Sequence, residues 1–163
     1  MHWRGHVGAA LLAYVPFGTW LSHSGFGSLA LVGALGMVLL STVPDADRFV
    51  SATSHRGLTH TVFFAVFVGV FVGGIGFIGG AVTGSGLDSP ATAGLFGFFV
   101  GCFTILVHVA VDALTPMGVR PLWPLSDWHV SLALTPSKHP GANYAFLVAG
   151  LLASGSGYVV AVG

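Results

Sequence analysis

Five apolar runs, at about Val7 to Leu21, Gly25 to Val43, Thr61 to Val82, Ala91 to Val111 and Ala142 to Val162, occupy most of the chain and constrain it more than any other feature. A helix crosses a bilayer with ~17 to 25 predominantly apolar residues, a length that the first run falls short of and the others meet. Hydrocarbon offers no water to the backbone, so each run must close its hydrogen bonds within itself, as a helix does. With 54% hydrophobic and 6% charged residues and a mean hydropathy of +0.89, a soluble globular domain of 163 residues is excluded. The expected fold is an all-α integral membrane protein, a bundle of about five transmembrane helices. Residues 1–163 read as one domain, because no polar linker or low-complexity segment separates one group of runs from another.

Five crossings put the N-terminus, the Pro44 to Thr59 connection and the His108 to Gly141 segment on one face. All five basic residues, Arg4, Arg48, Arg56, Arg120 and Lys138, fall there, so the positive-inside rule makes that face cytoplasmic. The formal net charge of zero provides no basic surface for nucleic acid. Met1 to Arg4 and the run behind it mimic a cleaved signal peptide, but Pro16, Trp20 and the lack of a small-x-small cleavage pattern favour retention of the segment. Cys102, the only cysteine, lies mid-span, where packing is its expected role. Glycines four apart, Gly69 with Gly73, Gly76 with Gly80 and Gly97 with Gly101, allow close helix approach; packing within the monomer, a homodimer face and the general abundance of glycine in membrane helices all account for them.

Against this apolar background, a few polar residues stand out at the ends of the runs. His108 and Asp112, four apart at the end of the fourth run, share a helix face, as two ligands of one metal or as a hydrogen-bonded pair. Asp45 and Asp47 follow Pro44, where the second run must stop or distort, so both can turn toward one cation; Arg48 beside them offers a salt bridge instead. His55, Arg56 and His60 precede the third run, with Thr59 expected as its N-cap and His60 in its first turn, where the helix dipole favours a neutral, ligand-competent imidazole. His6 opens the first run on the same face. His2, His129 and His139 lack a partner pattern, and His23 lies on the opposite side. These donors exceed what one closed structural site needs, and no cysteine is available to build one, which points to an open catalytic site of one or two metals. After Asp112, the stretch from Pro121 to Trp128 is aromatic and too rich in proline to span, as expected of an interfacial or re-entrant segment after the fourth helix.

The motifs Val43-Pro44-Asp45-Ala46-Asp47, Ser54-His55-Arg56-Gly57-Leu58-Thr59-His60-Thr61 and His108-Val109-Ala110-Val111-Asp112-Ala113-Leu114-Thr115-Pro116-Met117-Gly118 resemble those of the YdjM-type family of inner-membrane metal-dependent hydrolases, after an N-terminal histidine that His6 matches. Arg48 stands where that family commonly has histidine, and Thr61 where it has serine. The resemblance implies a prokaryotic plasma (inner) membrane location and a metal-dependent hydrolase.

On these grounds the expected ligands are His6, Asp45, Asp47, His55, His60, His108 and Asp112. An aspartate, Asp45 or Asp47, would serve as general base, and Arg56 would meet an anionic group or pair with a carboxylate. Imidazole and carboxylate donors favour zinc, with manganese or iron as alternatives. The expected substrate is a phosphoester or other ester of a lipid or membrane-associated molecule. The rival classes are a proton or divalent-cation transporter or channel and a metal-stabilised scaffold without turnover.

Overall fold

The computed structural model describes residues 1–49, 56–83, 87 and 89–162, without the side chains of 48, 49 and 158–162. It is helical, with five long helices and, among the described residues, no strand: α1 Trp3–His23, α2 Gly27–Leu40, α3 Val62–Thr83, α4 Pro90–Ala113 and α5 Pro140–Val162. The five apolar runs thus become five helices. Three stretches, Gly27–Asp47, Val62–Thr83 and Pro90–Ala113, are long and apolar enough to cross a membrane by length and composition. Large apolar side chains point outward along them, among them Leu35, Leu39, Phe67, Phe71 and Ile78, an arrangement that suits lipid rather than water.

Helix pairing follows the glycines. A Cβ added to Gly97 would lie 2.7 Å from Val72 O, one on Gly101 2.9 Å from Val68 O, and one on Gly76 2.5 Å from Ala93 O, so α3 and α4 touch backbone to backbone. Small residues permit this approach where lipid supplies no hydrophobic drive. The glycines four apart therefore serve packing within the monomer. Cys102 packs in the same seam with Ala65, Val68, Ile105 and Val109. A second seam joins α1 to α5 through Gly8 and Gly150, and Ala10, Tyr14, Met37 and Val100 fill the space between α1, α2 and α4.

Helix ends follow local chemistry. Ser89 caps α4 by accepting from Thr92 N at 3.2 Å, with Pro90 in the first turn. Thr61, extended at φ −123° and ψ 160°, caps α3 by accepting from Phe64 N at 3.2 Å. The cap is therefore Thr61 and not Thr59, and His60 ends a short 3-10 turn, Leu58–His60, ahead of the helix. At the other end of α4, the segment that follows folds back over it: Leu132 N and Leu134 N donate to Ala113 O and Leu114 O at 2.8 Å, satisfying carbonyls that a helix end leaves open. Val119 and Val130 pair as an isolated antiparallel bridge, Val62 N donates to Pro121 O, and Trp123, Leu125 and Trp128 remain exposed. Gly118 makes the turn at φ +61°, and a Cβ there would lie 2.4 Å from Val130 O. Gly118→Ala is expected to cost about 1–3 kcal/mol, checked as a lowered melting temperature of the detergent-solubilised protein.

Candidate metal centre

The polar residues of the first, second and fourth runs meet at one end of the bundle. His6 comes from the first turns of α1, Asp45 from the 3-10 turn Pro44–Phe49 that follows α2, and His108 and Asp112 from the last turns of α4. Each of these four offers one ligand atom, and the four atoms lie within 4.8 Å of one another. His60 joins them: its Nε2 is 3.4 Å from Asp112 Oδ2, 3.2 Å from His108 Nε2 and 3.8 Å from Asp45 Oδ1. His60, His108 and Asp112 thereby form a triangle whose third edge, His108 Nε2 to Asp112 Oδ2, is 3.7 Å. His6 stacks on His108 with ring centroids 3.7 Å apart and points its Nε2 at Asp112 Oδ1 from 3.4 Å and at Met1 O from 3.1 Å.

The site is dry. His6, His60, His108 and Asp112 are buried, and Asp45 is the most accessible donor, with 13% of its side chain exposed. A group of buried imidazoles and carboxylates is costly unless partnered. Asp112 Oδ1 has partners in the Met1 amino group and in Arg56 Nη2 at 2.9 Å, whereas Asp112 Oδ2, buried and aimed at the imidazoles, makes no hydrogen bond among the described residues. That atom has the chemistry of a ligand oxygen. His108 Nδ1 donates to Ser41 O at 2.6 Å, which leaves Nε2 as the bare nitrogen facing the cluster, the outer-shell arrangement that orients a metal-binding imidazole. The residues present therefore fit a divalent cation.

Asp47 stands apart from Asp45 although only one residue separates them. The 3-10 turn directs it away from the triangle, toward Arg56 N at 3.0 Å, Thr59 Oγ1 at 3.0 Å and His60 Nδ1 at 3.6 Å, on the far side of the His60 ring. Arg56 is buried and spans the gap between this loop and the end of α4, donating to Thr115 Oγ1 at 2.8 Å, Gly118 O at 2.9 Å and Asp112 Oδ1 at 2.9 Å. Of its two expected roles, the structure has it paired with a carboxylate. Its backbone takes φ +63°, a left-handed conformation that costs a non-glycine residue energy and that these contacts hold in place. His55 and the side chain of Arg48 lie outside the described residues. Ser41, Thr59 and Thr115 are participants not expected as site residues, although Thr59 and Thr115 lie within the family-like motifs and Thr59 is expected there as a helix cap.

A family model described as YdjM inner membrane protein matches residues 1–162 of the chain. No curated protein and no solved structure matches it.

Proposed function

The chain belongs to the YdjM inner membrane protein family, and from that premise we propose that it is a membrane-embedded, metal-dependent hydrolase acting on a phosphoester or other ester of a lipid or membrane-associated substrate. One observation carries the reading: His6, Asp45, His108 and Asp112, drawn from three separate helical elements, bring one ligand atom each to within 4.8 Å of the others inside an apolar bundle. Ligand atoms ~2.0–2.2 Å from a tetrahedral zinc stand about 3.3–3.6 Å apart. The His60, His108 and Asp112 edges of 3.2, 3.4 and 3.7 Å bracket that spacing, and imidazole with carboxylate is a donor set that suits zinc.

A divalent cation held there supplies Lewis acidity, acidifying water to a pKa near ~7 and polarising the scissile group. His60, His108 and Asp112 would hold it, with His6 and Asp45 as the next donors. Asp45, the most accessible of them, is positioned to accept the proton released as water attacks. Arg56 acts through Asp112, fixing the carboxylate with a charge-assisted bond at 2.9 Å. In this reading α1 and α5 cross the bilayer with the other three helices, and the centre sits at the cytoplasmic headgroup level, where the basic residues cluster. A transporter would need ionisable groups along a path. α2, α3 and α5 contain no Asp, Glu, Lys, Arg or His, so the hydrolase reading is the better supported.

The test is metal analysis of full-length protein purified without chelator, followed by assays on lipid and phosphodiester substrates. Near-stoichiometric divalent metal, with hydrolysis abolished by chelator and restored by zinc, is the expected result. Absence of metal would overturn it. Metal without hydrolysis would turn the reading toward a transporter if proteoliposomes pass ions, or toward a scaffold if chelation only lowers the melting temperature.

A further inference from the structure

Resting on the reading of the cluster as a metal centre, we infer that Thr59 is the positioning residue that decides which nitrogen of His60 is presented to the cation. An imidazole binds metal through a bare nitrogen, and the hydrogen bond made by the other nitrogen selects which one is bare. Among the described residues, the contacts of His60 Nδ1 are local. Thr59 Oγ1 lies 3.0 Å from Asp47 Oδ2 and 3.0 Å from His60 Nδ1. A carboxylate oxygen only accepts, so the single Thr59 hydroxyl hydrogen points to Asp47. Its oxygen then has lone pairs left for His60, and the ring must donate to it from Nδ1–H. The direct separation of Asp47 Oδ2 from His60 Nδ1 is 3.6 Å, too long for a hydrogen bond, so the hydroxyl is the connecting link.

The consequence appears on the other side of the ring. With the proton on Nδ1, His60 Nε2 is bare and stands 3.2 Å from His108 Nε2, which is bare because its own Nδ1 donates to Ser41 O. Two lone pairs then converge with Asp112 Oδ2 on one buried space, an arrangement that a cation among them satisfies. The two histidines reach the same state by different routes: a backbone carbonyl sets His108, and a threonine hydroxyl backed by a carboxylate sets His60. Removing the hydroxyl frees the proton to move to Nε2, where it can bond to Asp112 Oδ2 at 3.4 Å and block coordination. The reading also gives Asp47 its role: it anchors the hydroxyl and the Arg56 amide through one oxygen.

The experiment uses Co2+ as the probe, titrated into the full-length protein in detergent micelles and followed by its visible ligand-field bands. Thr59→Val, close in shape but without the hydroxyl, is expected to weaken Co2+ binding about 10- to 100-fold and alter the bands, the range seen when an outer-shell partner is lost. Thr59→Ser should restore both. Thr61→Val, which removes the neighbouring helix cap instead, should lower the melting temperature and leave the bands unchanged. Parent-like binding and bands in Thr59→Val would overturn the inference, whereas failure of the parent to bind Co2+ would sink the metal-centre reading itself. A second measurement needs no variant: 15N spectra of histidine side chains in the parent loaded with diamagnetic Zn2+ should find His60 protonated at Nδ1, and a proton at Nε2 would equally overturn the assignment.

Discussion

Asp112→Asn is expected to reduce divalent-metal affinity by at least ~100-fold, more than the loss of any outer-shell partner. Asp112 is the hub of the cluster: Oδ2 faces His60 and His108 at 3.4 and 3.7 Å, and Oδ1 faces His6 at 3.4 Å and Arg56 at 2.9 Å. Asparagine keeps the shape and one acceptor but loses the negative charge, and its amide nitrogen would set a donor against a bare imidazole or against the guanidinium. The loss extends to the fold, because the guanidinium of Arg56 would lose the carboxylate it pairs with in a buried site; breaking a buried pair from one side costs about 3–5 kcal/mol. Metal content and melting temperature should therefore fall together in this variant. Metal retained within a few-fold of the parent would show that the ligands lie elsewhere.

Gly150→Ala is expected to destabilise the bundle by about 3 kcal/mol or more, the upper range for overpacking, because the obstruction is backbone. A Cβ there would stand 2.4 Å from Gly8 O and 3.0 Å from Gly8 Cα, and from the opposite side a Cβ on Gly8 would stand 2.2 Å from Phe146 C and O. Neither chain can yield by turning a rotamer, so α5 must move off α1. His6 rides on α1 only two residues before Gly8, so metal binding should weaken in the same variant. Gly155→Ala, on the same helix with nothing within 4 Å of its Cβ, is the control and should be neutral or slightly stabilising, as alanine usually is in a helix. Equal melting temperatures for the two variants would refute the account of this seam.

The helices were legible because a run of apolar residues in lipid has few alternatives to helix. Their ends were less so: α1 starts at Trp3, taking Arg4 and His6 into the helix, where apolarity alone began the run at Val7. Within the site, His108 and Asp112 could be read from their spacing, since four residues in a helix fix a common face. Asp45 and Asp47 were not separable from sequence, because a 3-10 turn, rather than their spacing, sends one to the imidazoles and the other behind His60. Thr59 and Thr61 flank His60 and are both competent caps; the extended backbone at Thr61 decides between them. Arg56 carries no sign in the sequence that Asp112, far along the chain, will claim its guanidinium. These are tertiary decisions that local chemistry leaves open.

The donors of the cluster are strung along the chain, with His6 near its beginning and Asp112 at the end of the fourth helix. A nascent chain on the ribosome has therefore gathered two imidazoles, His6 and His60, and Asp45 at most before α4 emerges, and the carboxylate at the hub arrives after the rest. Ion capture would then act as a late latch, closing only on a chain whose first four helices have already been laid beside one another, and a product cut short before residue 112 would have nothing to lock.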